Sequence, residues 1–243
     1  MPFSRWIAPV LPALLLAACD QSDVPVSRSS STPPGTPPAS AAASVAVSPA
    51  IPADAPVVLA FGDSLYAGYQ LDPGRSYPAR LEAALNGQGM PVRFVNAGVS
   101  GDTTAAGLQR LAFTLDNQPR QPALVMVGLG GNDMLRGLPI EQTRANIDAV
   151  CAELQKRGIP FMLTGLVAAP NMGADYAGKF NAIFPELAKK YRVPLVPFLL
   201  EPVIGKPDLL LPDRIHPNAQ GVDRIVATTQ ATVAGALQAA VSR

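Results

Sequence analysis

The 243-residue chain has one histidine, two cysteines and one tryptophan, and each scarcity removes a class of function. A lone imidazole and so few thiols leave no plausible ligand set for zinc or iron, which favour His and Cys ligands. Only 15% of the residues are charged, the formal net charge is +1, and no extended run of like charges occurs. Nothing therefore supplies the basic face that holds nucleic acid. Neither G-x-G-x-x-G nor Gly-Lys-Ser/Thr occurs around the glycines at 128–131, which makes nucleotide binding a poor reading. No uninterrupted apolar run reaches the about 20 residues of a membrane-spanning helix, because Pro9 and Pro12 break the longest one, Trp6–Ala18.

That N-terminal run has another use. Arg5 followed by Trp6–Ala18 reads as the charged and apolar parts of a secretory signal over residues 1–19. Its end, Leu16-Ala17-Ala18-Cys19, resembles the bacterial lipobox, which implies lipid modification of Cys19 and attachment to a membrane; a plain signal cleaved after small residues is the alternative. Asp20 resembles the inner-membrane retention signal of enteric lipoproteins. With Cys19 so assigned, Cys151 stands alone and no intrachain disulfide can form. Residues 20–56 hold 8 Ser, 8 Pro and 8 Ala and almost no large apolar side chains. Such a segment cannot bury enough surface to offset its chain entropy, so it reads as a disordered, semi-extended tether. The expected folded domain is 57–243, on the periplasmic side of a bacterial membrane or, without the lipid, soluble in the periplasm or secreted.

Within 57–243, apolar strand-like runs alternate with helical patterns. Strands are expected at Val57–Phe61, Val92–Asn96, Ala123–Val127, Pro160–Thr164 and Val193–Phe198; the two prolines in the last place it at a sheet edge. Helices are expected around Leu81 and Leu85, Leu108–Leu115, Ile147–Leu154, Phe180–Tyr191, and from Pro217 at the first helical position through Val233. Cys151 falls on the apolar stripe of its helix and reads as a core residue rather than a nucleophile. The alternation implies right-handed βαβ units around one parallel sheet.

The first strand stops abruptly at Phe61-Gly62-Asp63-Ser64-Leu65. Read alone, that stretch is an ordinary turn whose Asp and Ser bond their own backbone. At the far end of the chain, however, His216 follows Asp213 by three residues. If a serine is the nucleophile here, His216 is its only possible base, and Asp213 is placed to orient it. Two glycine-bearing segments, Asn96–Asp102 and Gly128–Asp133, follow strands at the same sheet edge and offer donors for an oxyanion, the Asn132 amide among them. Ser100 has no second histidine to serve it. The G-x-S-x-G elbow is absent around Ser64, because residue 66 is Tyr.

Gly62-Asp63-Ser64-Leu65, Gly98 in its loop, Gly130-Gly131-Asn132-Asp133 and Asp213-x-x-His216 resemble, in order, the four blocks of the GDSL, or SGNH, hydrolases. The resemblance is strongest to the bacterial thioesterase I/lysophospholipase and arylesterase branch. It implies a flavodoxin-like three-layer α/β/α sandwich with a five-stranded parallel sheet. It further implies Ser64 as nucleophile, His216 as base, Asp213 as orienter, and oxyanion donors from the Ser64 and Gly98 backbones and Asn132. No cofactor is expected, and the implied substrate is a small acyl ester or thioester. The loop 166–176, with Pro170, Asn171 and Met172, is a candidate substrate-binding lid, or else a solvated connection. A carbohydrate O-acetyl esterase and a non-catalytic lipoprotein binding module are the competing functions.

Overall fold

A computed structural model describes residues 51–243. The expected signal, Cys19 and most of the expected tether lie outside the described residues. The last part of that tether, 51–56, is held against the domain: Ala55 is buried, its carbonyl accepts from Arg120, and the Ile51 carbonyl accepts from Arg93 at 2.9 Å.

Five strands form one parallel sheet in the order β2-β1-β3-β4-β5. They are β1 Val57–Gly62, β2 Arg93–Gly98, β3 Leu124–Gly128, β4 Phe161–Thr164 and β5 Leu195–Val196. Successive side chains of a strand point to opposite faces, and here both faces are covered, which explains why the central strands are apolar throughout. On one face, Leu59–Val125–Phe161 and Phe61–Val127–Leu163 form rows across three strands. These rows pack against α3 Thr104–Asp116, α5 Ile140–Lys156 and α6 Ala174–Tyr191. On the other face, Val58, Ala60, Met126 and Met162 meet α2 Tyr77–Gly87 and α7 Ala219–Val241. Two further short helices, α1 Ser64–Ala67 and α4 Gly131–Leu135, sit directly after β1 and β3. The result is a three-layer α/β/α sandwich. Each large side chain buried in these layers contributes about 1.5–3 kcal/mol through removal of its surface from water.

Cys151 is fully buried among Ile147, Val150 and Leu154 on α5, and burial pushes its thiol up to about 12. The fifth strand is an edge strand, trimmed to two residues by Pro194 and Pro197. Pro217 does not start the last helix. Asn218 is the N-cap, accepting the Gly221 N–H at 2.9 Å through its side chain, so Pro217 lies outside the helix. β2 runs two residues further than expected, to Gly98, because its register with β1 continues to the Gly62–Gly98 pair.

The strand order reverses direction at β1: the chain goes from β1 to β2 on one side, then crosses to β3 on the other. The crevice above the C-terminal ends of β1 and β3 is where open α/β sheets hold their ligands.

Candidate active site

At Gly62 the chain turns straight from β1 into α1. Asp63 caps that helix, its carboxylate accepting the Leu65 N–H at 3.0 Å, and Ser64 is the first helical residue with 9% of its surface exposed. Just before α7, Asp213 curls the chain by accepting the N–H groups of Ile215 at 2.9 Å and His216 at 3.0 Å on one oxygen. Its other oxygen lies 2.7 Å from His216 Nδ1, and His216 Nε2 lies 2.8 Å from Ser64 Oγ. With Nδ1–H donating to the carboxylate, Nε2 is left to accept the serine proton. Burial alone would raise the Asp213 carboxyl, but the two N–H groups and the imidazole outweigh it and hold the group below the ordinary carboxylate value. The Tyr69 ring covers the imidazole with centroids 4.5 Å apart.

Donors for a developing oxyanion line the same cavity as Ser64. Among the described residues the Ser64 N–H has no hydrogen-bond partner, as expected at the first position of a helix. Asn132, at the start of α4, donates one amide hydrogen to the Asp102 carbonyl at 2.9 Å and keeps the second free. Gly98 is placed otherwise than expected. Its N–H donates to Asn96 Oδ1 at 2.9 Å, it does not line the cavity, and a Cβ there would run into the Ala67 backbone. Its part is to let α1 close against the end of β2. The glycine of this loop that does line the cavity is Gly101, at φ +87, whose N–H is unpartnered among the described residues. Gly98 closes β2 and Gly101 lies in the loop that follows; the Asn96 side chain takes the N–H of the first and leaves that of the second free.

The three loops are tied together beneath the cavity. Arg110 donates to Asp102 at 2.6 Å and to the Gly62 carbonyl at 2.9 Å, which joins the end of β1 to the loop after β2. The buried Asp133 accepts the Thr104 N–H at 2.8 Å and its hydroxyl at 2.5 Å, anchoring α4 to α3. Asp63 is a second buried carboxyl, 2% exposed. Burial raises it to about 7, against the pull of the Leu65 N–H and with help from Asp102 and Asp133.

The cavity above Ser64 has a volume of about 590 Å³, and its walls are mostly apolar, including Leu65, Met134, Leu166, Ala168 and Leu200. Pro170 lines it. Asn171 is exposed and, like Met172, does not reach the cavity wall, because the chain turns outward through a short 3₁₀ segment at Pro170–Met172. A larger cavity of about 730 Å³ opens at the opposite ends of the strands, lined by Pro122, Pro160 and Pro194 among others. It contains no serine, cysteine, histidine or carboxylate side chain and so offers no such chemistry. Among the described residues no three His, Cys, Asp or Glu side chains cluster as metal ligands, and no helix is long and apolar enough to cross a membrane.

A serine, an imidazole and a carboxylate linked by two short hydrogen bonds, with free donors beside the serine oxygen, define the hydrolases that work through a covalent acyl-serine. The chain belongs to the GDSL-like lipase/acylhydrolase family, whose profile matches residues 60–224 and so spans every part of this constellation. It is 39% identical over 163 residues to an arylesterase of Vibrio mimicus, covering 67% of this chain and 80% of that protein. To the thioesterase 1/protease 1/lysophospholipase L1 of Escherichia coli K12 it is 39% identical over 166 residues, covering 68% and 77%. Among solved structures, AlinE4, an SGNH-hydrolase family esterase, matches with a TM-score of 0.65 and 55% identity, over 76% of this chain and 97% of that one.

Proposed function

We propose that this chain is a carboxylic ester hydrolase that cleaves acyl esters or thioesters through an acyl-enzyme on Ser64. The observation that carries this reading is the unbroken relay from Ser64 Oγ through His216 to Asp213, at 2.8 and 2.7 Å. Ser64 attacks the carbonyl carbon as Nε2 takes its proton. The oxyanion is met by the N–H groups of Ser64 and Gly101 and by the Asn132 amide. The protonated imidazole then gives its proton to the leaving group, and a water activated by the same nitrogen releases the acid. Asp213 holds the tautomer and faces the imidazolium. Membership in an acylhydrolase family and the names of the related enzymes support the reaction class. The mostly apolar cavity supports a hydrocarbon acyl group over an acetylated sugar.

Turnover of p-nitrophenyl esters of increasing chain length is the direct test. Ser64→Ala should abolish measurable turnover, and retention of wild-type activity would sink the mechanism. A rate that peaks at acetate and vanishes at octanoate would favour a sugar deacetylase. The domain plan of signal, tether and catalytic domain, with Cys19 lipidated on the periplasmic side, rests on the sequence. Cys19→Ser should move the protein from the membrane fraction to the soluble one.

A further inference from the structure

The Tyr69 ring adds little to the core: it is 38% exposed and belongs to neither of the packed clusters that flank the sheet. The backbone is nevertheless bent to place it. Gly68 turns the chain out of α1 at φ +82. Gln70, at φ +55, takes the left-handed region that an L side chain disfavours because its Cβ crowds the following carbonyl. Between the two, the Tyr69 N–H donates to the Ser64 carbonyl at 3.3 Å, which fastens the residue to the nucleophile's own peptide. Among the described residues its hydroxyl meets only the neighbouring Gln70 amide, at 3.1 Å, and no member of the relay. A strained residue beside a reactive group persists where the surrounding structure over-determines it, and such strain clusters at functional sites.

What the strain secures is a contact with the imidazole. Both ring nitrogens of His216 are engaged, Nδ1 by Asp213 at 2.7 Å and Nε2 by Ser64 at 2.8 Å, which leaves the faces of the ring. Tyr69 takes one face, with centroids 4.5 Å apart and planes 37° from parallel. The face of an aromatic ring is negative and attracts a cation lying within about 6 Å of its centre. The reaction needs a neutral imidazole before Ser64 attacks and makes it cationic as Nε2 takes the proton, so this attraction grows in the transition state. Acylation and deacylation both pass through the imidazolium and draw on the same contact. We infer that Tyr69 is a positioning residue for the reaction, its π face stabilising the imidazolium each time Nε2 holds the proton of the serine or of the water. The inference rests on His216 as the base for Ser64.

The test keeps the shape of the ring and changes its charge distribution. Tyr69→Phe retains the π face, pentafluorophenylalanine introduced at the same position reverses its polarity in nearly the same volume, and Tyr69→Leu has none. With the full chain and p-nitrophenyl butyrate, kcat of Tyr69→Phe should stay within about threefold of wild type. Relative to that variant, the pentafluoro and leucine forms should lose about 10-fold in kcat with KM changed less than about twofold, since both steps slow together. A role in packing alone would follow size and treat phenylalanine and its fluorinated form alike. Because the ring lies outside the core, melting temperatures should stay close to wild type, and the phenylalanine pair decides the matter if the leucine variant is unstable. A pentafluoro form within about threefold of Tyr69→Phe in kcat overturns the inference, as does a loss carried by KM or a Tyr69→Phe as impaired as Tyr69→Leu. If wild type turned over no p-nitrophenyl ester and Ser64 took no label from a fluorophosphonate, the reading of Ser64 as nucleophile would fall instead.

Discussion

Asp63 makes the stability of this domain fall as pH rises through neutrality. Its carboxyl moves from an ordinary value of 3.8 to about 7, chiefly because the group is buried beside the nucleophile. A carboxyl raised in the folded state binds its proton more tightly there than in the unfolded chain. Folding is therefore favoured while the folded form is protonated and the unfolded form is not, and the advantage is lost as pH passes the folded value. At pH 5, two units below about 7, the linkage is worth about 2.7 kcal/mol; at pH 8 almost none remains. Asp63→Asn preserves an oxygen to accept the Leu65 N–H, and asparagine caps helices as well as aspartate does, but it cannot titrate. Urea unfolding at pH 5, 6.5 and 8, with kcat followed in parallel, measures the effect. Wild type should lose about 2–3 kcal/mol more than the variant between pH 5 and 8. If the two proteins lose stability in parallel to within about 0.5 kcal/mol, the raised value for Asp63 is wrong.

Asn132→Ala should lower kcat by about 10²–10³ with little change in KM, as expected for a donor engaged mainly in the transition state; an unchanged kcat would remove it from the oxyanion site. In the native protein Cys151 should resist iodoacetamide at pH 8, since its thiol is buried and raised to about 12, and should label fully once urea unfolds the chain. Peptide mapping distinguishes it from Cys19. Gly128→Ala should cost about 2–3 kcal/mol in urea unfolding, because the new methyl would lie 2.7 Å from the Tyr66 ring and 2.8 Å from Thr164 Oγ1. A variant as stable as wild type would show that the ring has room to move.

The parts of the site that depend on local chemistry could be read in advance. A lone histidine three residues after an aspartate leaves few pairings, and apolar runs broken by glycine mark strand ends whatever the tertiary context. The βαβ units around one parallel sheet followed from that alternation, and the three-layer sandwich from the resemblance to the GDSL hydrolases. Features that depend on distant partners were not legible. Gly98 and Gly101 are equivalent as letters, and the difference lies in the Asn96 side chain, which takes the N–H of one and reaches the Tyr66 carbonyl with its other end. Pro217 looked like a first helical residue, but the cap belongs to Asn218 because the Asn218 N–H pairs with the Leu209 carbonyl, which fixes where the chain may begin to coil. Asn171 and Met172 sit in a segment rich in turn formers, and no local pattern says on which side of Pro170 the loop leaves the cavity. The contacts of Arg110 and Tyr69 join residues far apart in sequence, and neither side chain carries a motif.

The ring of Tyr66 packs against Gly62 and Gly128, which pair in register across β1 and β3. Its hydroxyl reaches Thr164 on β4 at 2.9 Å. The three positions therefore share one fixed volume, and substitutions among them should be coupled rather than independent. In a combinatorial library, alanine at 62 or 128 should survive selection mainly in clones where 66 has become smaller, and the double variants should be more stable than the sum of the single losses. Directed evolution of this hydrolase that varies one position at a time would find these three positions closed to change, whereas varying 62, 66 and 128 together would admit new combinations.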